Sequence, residues 1–451
     1  MSLSYFEREV ELPVAAETAF TWHARPGALE RLLPPWDDVR IVSRSNPHGE
    51  GGLAEGSRVE LSMPLGPLRV SWLAEHREVD PPHSFRDVAL RSPFAHWDHL
   101  HRFDARGVNQ SVLVDRIEYR PPGGALGATL GGGRIRRDLE RMFRYRHAVT
   151  HDDLAMHAGY LERPRLRVAI TGSSGMIGTA LGHLLTTGGH DVVPLHRGAE
   201  NRIDAAPAEG ADAVVHLAGE NIANHRWSEE QKRRIRDSRV QVTEWLCDDL
   251  LALGHPPAAL ISASAIGFYG DRDEERLDEH AARGDSFLAD VCLGRESATN
   301  AVRQSGMRVV NLRIGMVLSP KGGALKKMLP AFRGFAGGHF GSGEQYMSWI
   351  SLDDAIGAIH HALMHDELSG PMNLVSPEPV RNAQFSKTLA RVLGRPALVP
   401  VPRKALRLAL GEMADELLLA SARVVPGVLT DSGYSFRHPG LEGALRHLLG
   451  R

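Results

Sequence analysis

The segment Thr171–Gly178 carries glycines at its second, fifth and eighth positions, directly after a short apolar stretch and at the start of a segment with helical spacing. The first glycine of such a pattern permits a tight turn, the next lets the backbone approach a pyrophosphate, and the last lets a helix pack close to a strand. The free N–H groups and the positive dipole end at the start of a helix favour an anion. Gly172, Gly175 and Gly178 therefore predict a dinucleotide-binding loop.

Basic residues follow the second predicted strand of this region. That strand, Asp191–Leu195, is followed by His196 and Arg197. Sites for NAD place an acidic residue here, which bonds the ribose 2′-hydroxyl. A guanidinium is always charged and can bond a phosphate through two N–H groups at once, so it suits the 2′-phosphate of NADP(H). Arg197 therefore favours NADP(H) over NAD(H), and the alternative is a solvated surface arginine.

The elements that must position these residues follow two patterns. After a break at Glu162–Pro164, apolar strands alternate with helical stretches, which is typical of a parallel sheet with helices on both faces. Before it, alternating segments and a closing helix over 134–156 predict an α+β unit. The strands predicted for the parallel sheet are Arg167–Thr171, Asp191–Leu195, Ala213–Leu217, Leu260–Ala263 and Arg308–Arg313.

The predicted fold class is therefore α/β, a doubly wound NAD(P)-binding Rossmann sheet preceded by an α+β domain. Three domains are expected. The first is a ligand-binding domain over 1–155, the second a nucleotide-binding domain over 165–375, and the third a helical domain over 376–451 that completes the substrate lobe.

The composition excludes several classes of protein. The 451 residues include 53 basic and 55 acidic side chains, and a net charge of -2 gives no global field for nucleic acid or an anionic membrane. No run of ~18 apolar residues occurs, so no membrane span is expected. Two cysteines cannot form a disulfide framework or a four-cysteine zinc site, which suits a reducing compartment. The sequence predicts a cytoplasmic protein without a nucleic-acid or membrane partner.

Two histidines share one face of a predicted strand. Because side chains alternate along a strand, His99 and His101 point to the same side as Trp97 and Phe103. Such a pair could bind a metal or line a polar spot in a cavity. A zinc site takes three or four protein ligands, and this strand face offers two. The pattern therefore predicts histidines that hydrogen-bond to their neighbours, and no metal site.

Several motifs after residue 165 resemble the extended short-chain dehydrogenases/reductases, and most closely their epimerase-family branch of nucleoside-diphosphate-sugar epimerase-like proteins. The motifs are Thr171–Gly178, Val215–Ile222, Arg226–Glu230, Arg236–Arg239, Ser262–Gly270 and Gly341–Ile350. From about Asn373 to Leu449 the chain resembles the branch's C-terminal domain of unknown function. The resemblance covers residues 166–451.

The resemblance implies an NADP(H)-binding oxidoreductase or epimerase that acts on an unidentified small molecule. The glycine loop would hold the pyrophosphate, Arg197 the 2′-phosphate, and Leu217–Gly219 the riboses. The implied cofactor-binding residues are Gly172, Ser173, Ser174, Gly175, Met176, Ile177, Gly178, Arg197, Leu217, Ala218, Gly219 and Ser262.

The sequence departs from this family at the acid/base pair. Active members use a serine together with Tyr-x-x-x-Lys, in which the lysine lowers the pKa of the tyrosine. Leu288 and Cys292 stand in those two places, and neither can perform this chemistry. The implied catalytic residues are then Ser264 and Tyr269, the nearest phenol, for which a packing role is the alternative. Without a replacement, the chain would be an NADP(H)-binding sensor or ligand-binding module.

Residues 1–155 resemble the helix-grip superfamily of polyketide cyclase and START-like domains. The resemblance rests on the order of the predicted elements and on the segment Phe94–Phe103. That fold wraps a sheet around a long C-terminal helix and leaves an apolar cavity. The resemblance therefore implies an apolar ligand for this domain.

Overall fold

The computed structural model describes residues 3–47, 49, 53–122, 124–198, 201–223 and 225–451, and for 124–130 it describes the backbone alone. The chain divides into two compact units, whose main segments meet between Pro164 and Arg165. No helix in the described part of the chain has the length and apolarity that crossing a membrane requires.

The first unit contains a seven-stranded antiparallel sheet with the order β1-β7-β6-β5-β4-β3-β2. Its strands are β1 Ser4–Leu12, β2 Arg40–Ser45, β3 Arg58–Leu65, β4 Leu68–Asp80, β5 Ser84–Arg91, β6 His96–Gly107 and β7 Gln110–Arg120. Its helices are α1 Ala16–Ala24, α2 Ala28–Leu32 and α3 Gly124–Ala158. The predicted order of strand, two helices, antiparallel strands and closing helix is confirmed.

The long helix α3 begins earlier than the sequence predicted. Gly131–Gly133, expected in a loop, lie within the helix, which starts at Gly124. Glycine is about 1 kcal/mol less favourable than alanine in a helix, so Ala125, Leu126, Ala128 and Leu130 do not offset the three glycines, and packing further along stabilises the helix. Further along, Phe143 of α3 is fully buried and packs on Phe6 of β1 with ring centroids 5.3 Å apart.

The second unit contains a six-stranded parallel sheet with smaller strand pairs around it. Its strands are β8 Arg167–Thr171, β9 Asp191–Leu195, β10 Ala213–His216, β11 Ala259–Ala265, β12 Arg276–Leu277, β13 Arg308–Ile314, β14 Met316–Leu318, β15 Tyr346–Met347, β16 Trp349–Ser351, β17 Gly370–Leu374, β18 Val380–Arg381 and β19 Arg423–Val424. Its helices are α4 Met176–Thr187, α5 Glu229–Asp237, α6 Val240–Leu251, α7 Phe287–Ala298, α8 Asn300–Gln304, α9 Gly323–Arg333, α10 Leu352–Met364, α11 Asn382–Leu393, α12 Arg403–Leu410, α13 Glu412–Ala414, α14 Gly427–Asp431 and α15 Leu441–Leu449.

The parallel sheet has the order β17-β13-β11-β10-β8-β9. The chain runs outward from β8 to β9, then crosses to β10 on the other side of β8, which confirms the doubly wound prediction. Val168, Ala169 and Ile170 of β8 are fully buried, as expected for a strand covered by helices on both faces. Ligands of such folds bind beyond the carboxyl ends of the strands, where the strand order reverses. Here that point lies between β8 and β10.

The residues after 376, apart from Gly450, belong to the second compact unit. Helices α11 and α15 share one apolar core with α9, which includes Leu329, Leu389 and Leu445. Two short strands also connect this region to the preceding chain, because β18 pairs with β15 and β19 with β12. The region is therefore not entirely helical.

Candidate functional site

The glycine loop is a compact turn that ends at the first residue of α4. Gly172 has a φ of +66°, and the Gly175 N–H donates to the Gly172 carbonyl at 2.9 Å. A Cβ atom on Gly178 would lie only 2.3 Å from that same carbonyl oxygen, whereas one on exposed Gly175 would lie 3.1 Å from it. The loop itself therefore requires glycine at 172 and 178. Gly175 keeps the outer face of the backbone accessible.

A buried network joins the ends of β8 and β10. The Thr171 hydroxyl oxygen accepts from the Leu217 and Ala218 N–H groups, each at 3.1 Å. The His216 ring lies between Thr171 Oγ1 at 2.7 Å and Thr243 Oγ1 at 3.0 Å. Burial, together with the nearby charges of Arg295 and Arg197, lowers the pKa of His216 well below its usual range. A neutral histidine thus fixes the predicted ribose-binding segment beside the glycine loop.

Arg197 lies two residues beyond the end of β9, the neighbour of β8 in the sheet. Its side chain is exposed, and its guanidinium donates to the Asn201 side-chain oxygen. The charge faces solvent at the carboxyl edge of the sheet, where the 2′-phosphate contact was expected. The cofactor contact itself stays a prediction.

Ser264 lies near the end of β11 and forms part of a hydrogen-bonded group. Its hydroxyl donates to Glu296 Oε1 at 2.8 Å. Arg313 holds the same carboxylate with two bonds of 3.0 Å, one to each oxygen. The strand register places Ser264 directly opposite Arg313 on β13, and Glu296 reaches them from α7. A hydroxyl on a firmly held carboxylate can accept a proton and pass it on.

Tyr269 lies in the short turn after β11, and its side chain is fully buried. Its hydroxyl donates to Asn373 Oδ1 at 2.7 Å and accepts from Arg313 Nη1 at 3.0 Å. Burial raises the pKa of this phenol. Through these contacts Tyr269 helps to hold the Arg313 guanidinium in place. Its predicted acid/base role would require the phenol to give up both partners.

Ser262 lies two residues before Ser264 on the same face of β11, and it is fully buried. Its hydroxyl has no hydrogen-bond partner in the described part of the chain. The cofactor contact predicted for Ser262 stays a prediction.

The two residues in the places of the missing tyrosine and lysine are buried. Leu288 packs against Gly267, where an added Cβ would lie 3.1 Å from the leucine Cβ. The Cys292 thiol lies 3.6 Å from the Ala265 carbonyl oxygen, and burial raises its pKa to about 11. Both side chains therefore pack α7 against the turn after β11, and neither is charged at neutral pH.

Two arginines near the end of β10 form no ion pair with any residue that the structure describes. Arg295 of α7 donates to the His216 and Ala218 carbonyl oxygens at 3.3 and 3.0 Å, and burial lowers its pKa to about 9. Arg239 donates to the Glu220 carbonyl oxygen at 2.7 Å and lies beside Gly219. Their charges give this edge of the sheet a positive potential suited to an anionic ligand.

Comparison with known proteins assigns the second unit. Residues 168–374 match the NAD dependent epimerase/dehydratase family, and 401–448 match a domain of unknown function (DUF1731). An epimerase family protein of Mycobacterium bovis is 43% identical over 290 residues, which are 62% of this chain and 96% of that protein. The chain belongs to the epimerase family.

Two solved structures extend the likeness of this epimerase-family chain. The nucleoside-diphosphate sugar epimerase of Corynebacterium glutamicum is 32% identical, with a TM-score of 0.78, over 99% of this chain and 90% of that one. Human epimerase family protein SDR39U1, crystallised with NADPH, is 32% identical with a TM-score of 0.58. That match covers 63% of this chain and 99% of the human chain. The bacterial likeness therefore includes the first unit.

Sequence reasoning missed four charged residues of the candidate site: Arg239, Arg295, Glu296 and Arg313. A weak signal existed for Glu296, which follows Cys292 by one helical turn, and for Arg239, which ends one of the motifs. Arg313 could be found only from strand register, because Ser264 and Arg313 are 49 positions apart in the sequence.

Proposed function

We propose that this epimerase-family protein binds NADP(H) at Thr171–Gly178 and transfers a hydride between it and a small molecule that bears a hydroxyl or carbonyl group. The observation that carries the proposal is the hydrogen-bonded Ser264–Glu296 pair at the sheet edge that also carries the glycine loop. The human relative crystallised with NADPH supports the choice of cofactor. Exposed Arg197 would meet the 2′-phosphate.

The bound cofactor would supply or accept the hydride, and the protein would supply position and a proton path. The Ser264 O–H points at Glu296, so its oxygen lone pairs are available to a substrate hydroxyl. During oxidation, the substrate proton would pass to Ser264 Oγ while the serine proton passes to the Glu296 carboxylate. Arg313 keeps that carboxylate in place through both oxygens. The pair would replace the absent tyrosine and lysine.

Single-turnover NADPH oxidation across a panel of carbonyl compounds tests this assignment. Ser264→Ala and Glu296→Gln should each slow turnover by about 100-fold, the usual scale of general acid–base catalysis, with NADPH affinity unchanged. Ser297→Ala, an exposed neighbour on α7, is the matched control. Tyr269→Phe should have a smaller effect. Wild-type rates in both site variants would show that the proton comes from elsewhere.

A second candidate is an NADP(H) sensor without turnover. It is favoured by the buried Leu288 and Cys292 in the places of the acid/base pair. Tight NADPH binding without oxidation by any compound of the panel, in wild type and all variants, would support this candidate.

We further propose that the first unit is a helix-grip domain and that residues 376–451 complete the substrate side of the second unit. The helix-grip assignment is supported by α3, the long helix that follows the last strand of the antiparallel sheet.

Both cysteines are free and buried, which suits a reducing compartment such as the cytoplasm. The expected apolar ligand finds no support in the small cavity of the first unit, whose lining includes His23, Arg146 and Thr150.

A further inference from the structure

A cluster of histidines and carboxylates lies on one face of the sheet in the first unit. The strand register builds it. Asp87 of β5 is directly opposite His99 of β6, and His101 of β6 is directly opposite Asp115 of β7. Helix α3 adds His147, and all but Asp87 are buried. The missing third ligand, which argued against a metal on β6 alone, is thus supplied by the neighbouring strands.

Three side chains of this cluster can offer ligand atoms to one ion. Asp87, His99 and His101 have ligand atoms that all lie within 4.8 Å of one another, and His101 Nε2 lies 3.2 Å from Asp87 Oδ2. Two atoms that each lie about 2.0–2.1 Å from a tetrahedral ion are ~3.3 Å apart, so this separation fits a shared ion. Asp115 Oδ1 lies closer, at 2.9 Å from His99 Nε2 and 2.7 Å from His101 Nδ1, which are the distances of a hydrogen-bonded or ion-paired partner.

We propose that Asp87, His99 and His101 bind a divalent transition-metal ion of the zinc class. Two imidazoles and one carboxylate are a common ligand set for such ions. One ion can use only one nitrogen of His101. With Nε2 on the ion beside Asp87, Nδ1 is free to donate to Asp115 Oδ1, which lies 2.7 Å away.

The remaining contacts match the outer partners that metal ligands usually have. A ligating histidine normally donates its other N–H to a carboxylate, as His101 would to Asp115. That outer carboxylate is held in turn by His147, whose Nε2 lies 2.6 Å from Asp115 Oδ2. Three protein ligands leave a position for water or a small molecule. Arg146, which forms no ion pair with any described residue, lines the small cavity beside His101 and Asp115.

The test uses the full chain without an affinity tag, stripped with a chelator and titrated with Co²⁺ and Zn²⁺. Visible Co²⁺ absorption reports coordination geometry, and calorimetry gives stoichiometry and Kd. We expect one ion per chain in this site. His101→Ala and His99→Ala should weaken binding at least about 100-fold, and Asp115→Asn, a change of the outer partner, by about 10- to 100-fold. His96→Ala, on the opposite face of β6, is the matched control and should bind as wild type.

A second group, Asp353, His438 and His447, also has the spacing of metal ligands. His447→Ala therefore distinguishes the two places, and should leave the proposed site intact. Circular dichroism and NADPH affinity report folding for every variant. If His101→Ala fails to fold, Asp87→Asn and His101→Gln, which keep the side-chain size, take its place. The proposal is overturned if wild type binds neither ion below about 100 μM, or if binding survives in the His99 and His101 variants.

Discussion

At the scale of single residues, the candidate site depends on side chains that meet from distant parts of the sequence. Ser264 was identified from its motif, whereas Glu296 and Arg313 were not, because their contacts depend on strand register and on how α7 packs. The same holds for His99 and His101, whose carboxylate partners lie on the two neighbouring strands. The spacing of residues in the sequence shows which side chains share a face of one strand, but it does not show which strands are neighbours.

Arg197 offers a direct test of cofactor choice at this scale. Arg197→Asp should weaken NADPH binding by at least tenfold and reduce or reverse the preference over NADH, since charge-assisted hydrogen bonds contribute about 1.5–3 kcal/mol. Fluorescence titration with both cofactors measures this. Arg303→Asp is the control, because Arg303 is an exposed arginine of α8, which contacts β13, and three strands separate β13 from β9. Equal wild-type affinities for the two cofactors would contradict the assignment.

Because Cys247 is buried, we expect the free energy of unfolding to fall at alkaline pH. Burial raises the pKa of its thiol from 9.0 to about 12, so the unfolded chain loses this proton at lower pH than the folded one. The stability from the protonated thiol is complete below pH 9 and is lost as the pH rises toward 12. Between pH 8 and pH 11, urea unfolding should show wild type losing on the order of 2 kcal/mol more than Cys247→Ala. Parallel pH curves for the two proteins would contradict this expectation.

At the scale of elements, five of the six strands of the parallel sheet could be read from the sequence, whereas β17 was not predicted. β8 and β9 have the predicted bounds, because each is a short, mainly apolar run between turn residues. The start of α3 could not be predicted from the sequence. Three consecutive glycines favour a loop locally, whereas the helix is stabilised by packing further along, as at Phe143.

The glycine loop contains glycines with two different roles, one in cofactor binding and one in the fold of the loop itself. Gly175→Val should leave the chain folded and remove NADPH binding, because the side chain would stand where the backbone must approach the pyrophosphate. Gly178→Val should lower stability, since its Cβ would lie 2.3 Å from the Gly172 carbonyl oxygen. Thermal unfolding and NADPH titration distinguish the two effects. Unchanged NADPH affinity in folded Gly175→Val would mean that the loop is only a turn.

At the scale of the whole molecule, the chain joins an epimerase-family unit to a second fold. Human SDR39U1 is matched over 100% of its length by 63% of this chain, so the family unit occurs without the first unit. The sequence could show the boundary, because the pattern changes from antiparallel to alternating strands and helices at Glu162–Pro164. It could not show the cluster of histidines and carboxylates in the first unit, which required residues from three strands and α3 to be brought together.

This division leads to a prediction about the isolated second unit. Residues 165–451 should fold alone and bind NADPH within about threefold of the affinity of the full chain, because the glycine loop, Arg197 and the Ser264–Glu296 pair all belong to that unit. The fragment should bind no metal at the His99 and His101 site, which it lacks. Calorimetric titration of fragment and full chain with NADPH, and then with Zn²⁺, measures both properties. A soluble fragment whose NADPH affinity falls more than tenfold would mean that the first unit contributes to the cofactor site.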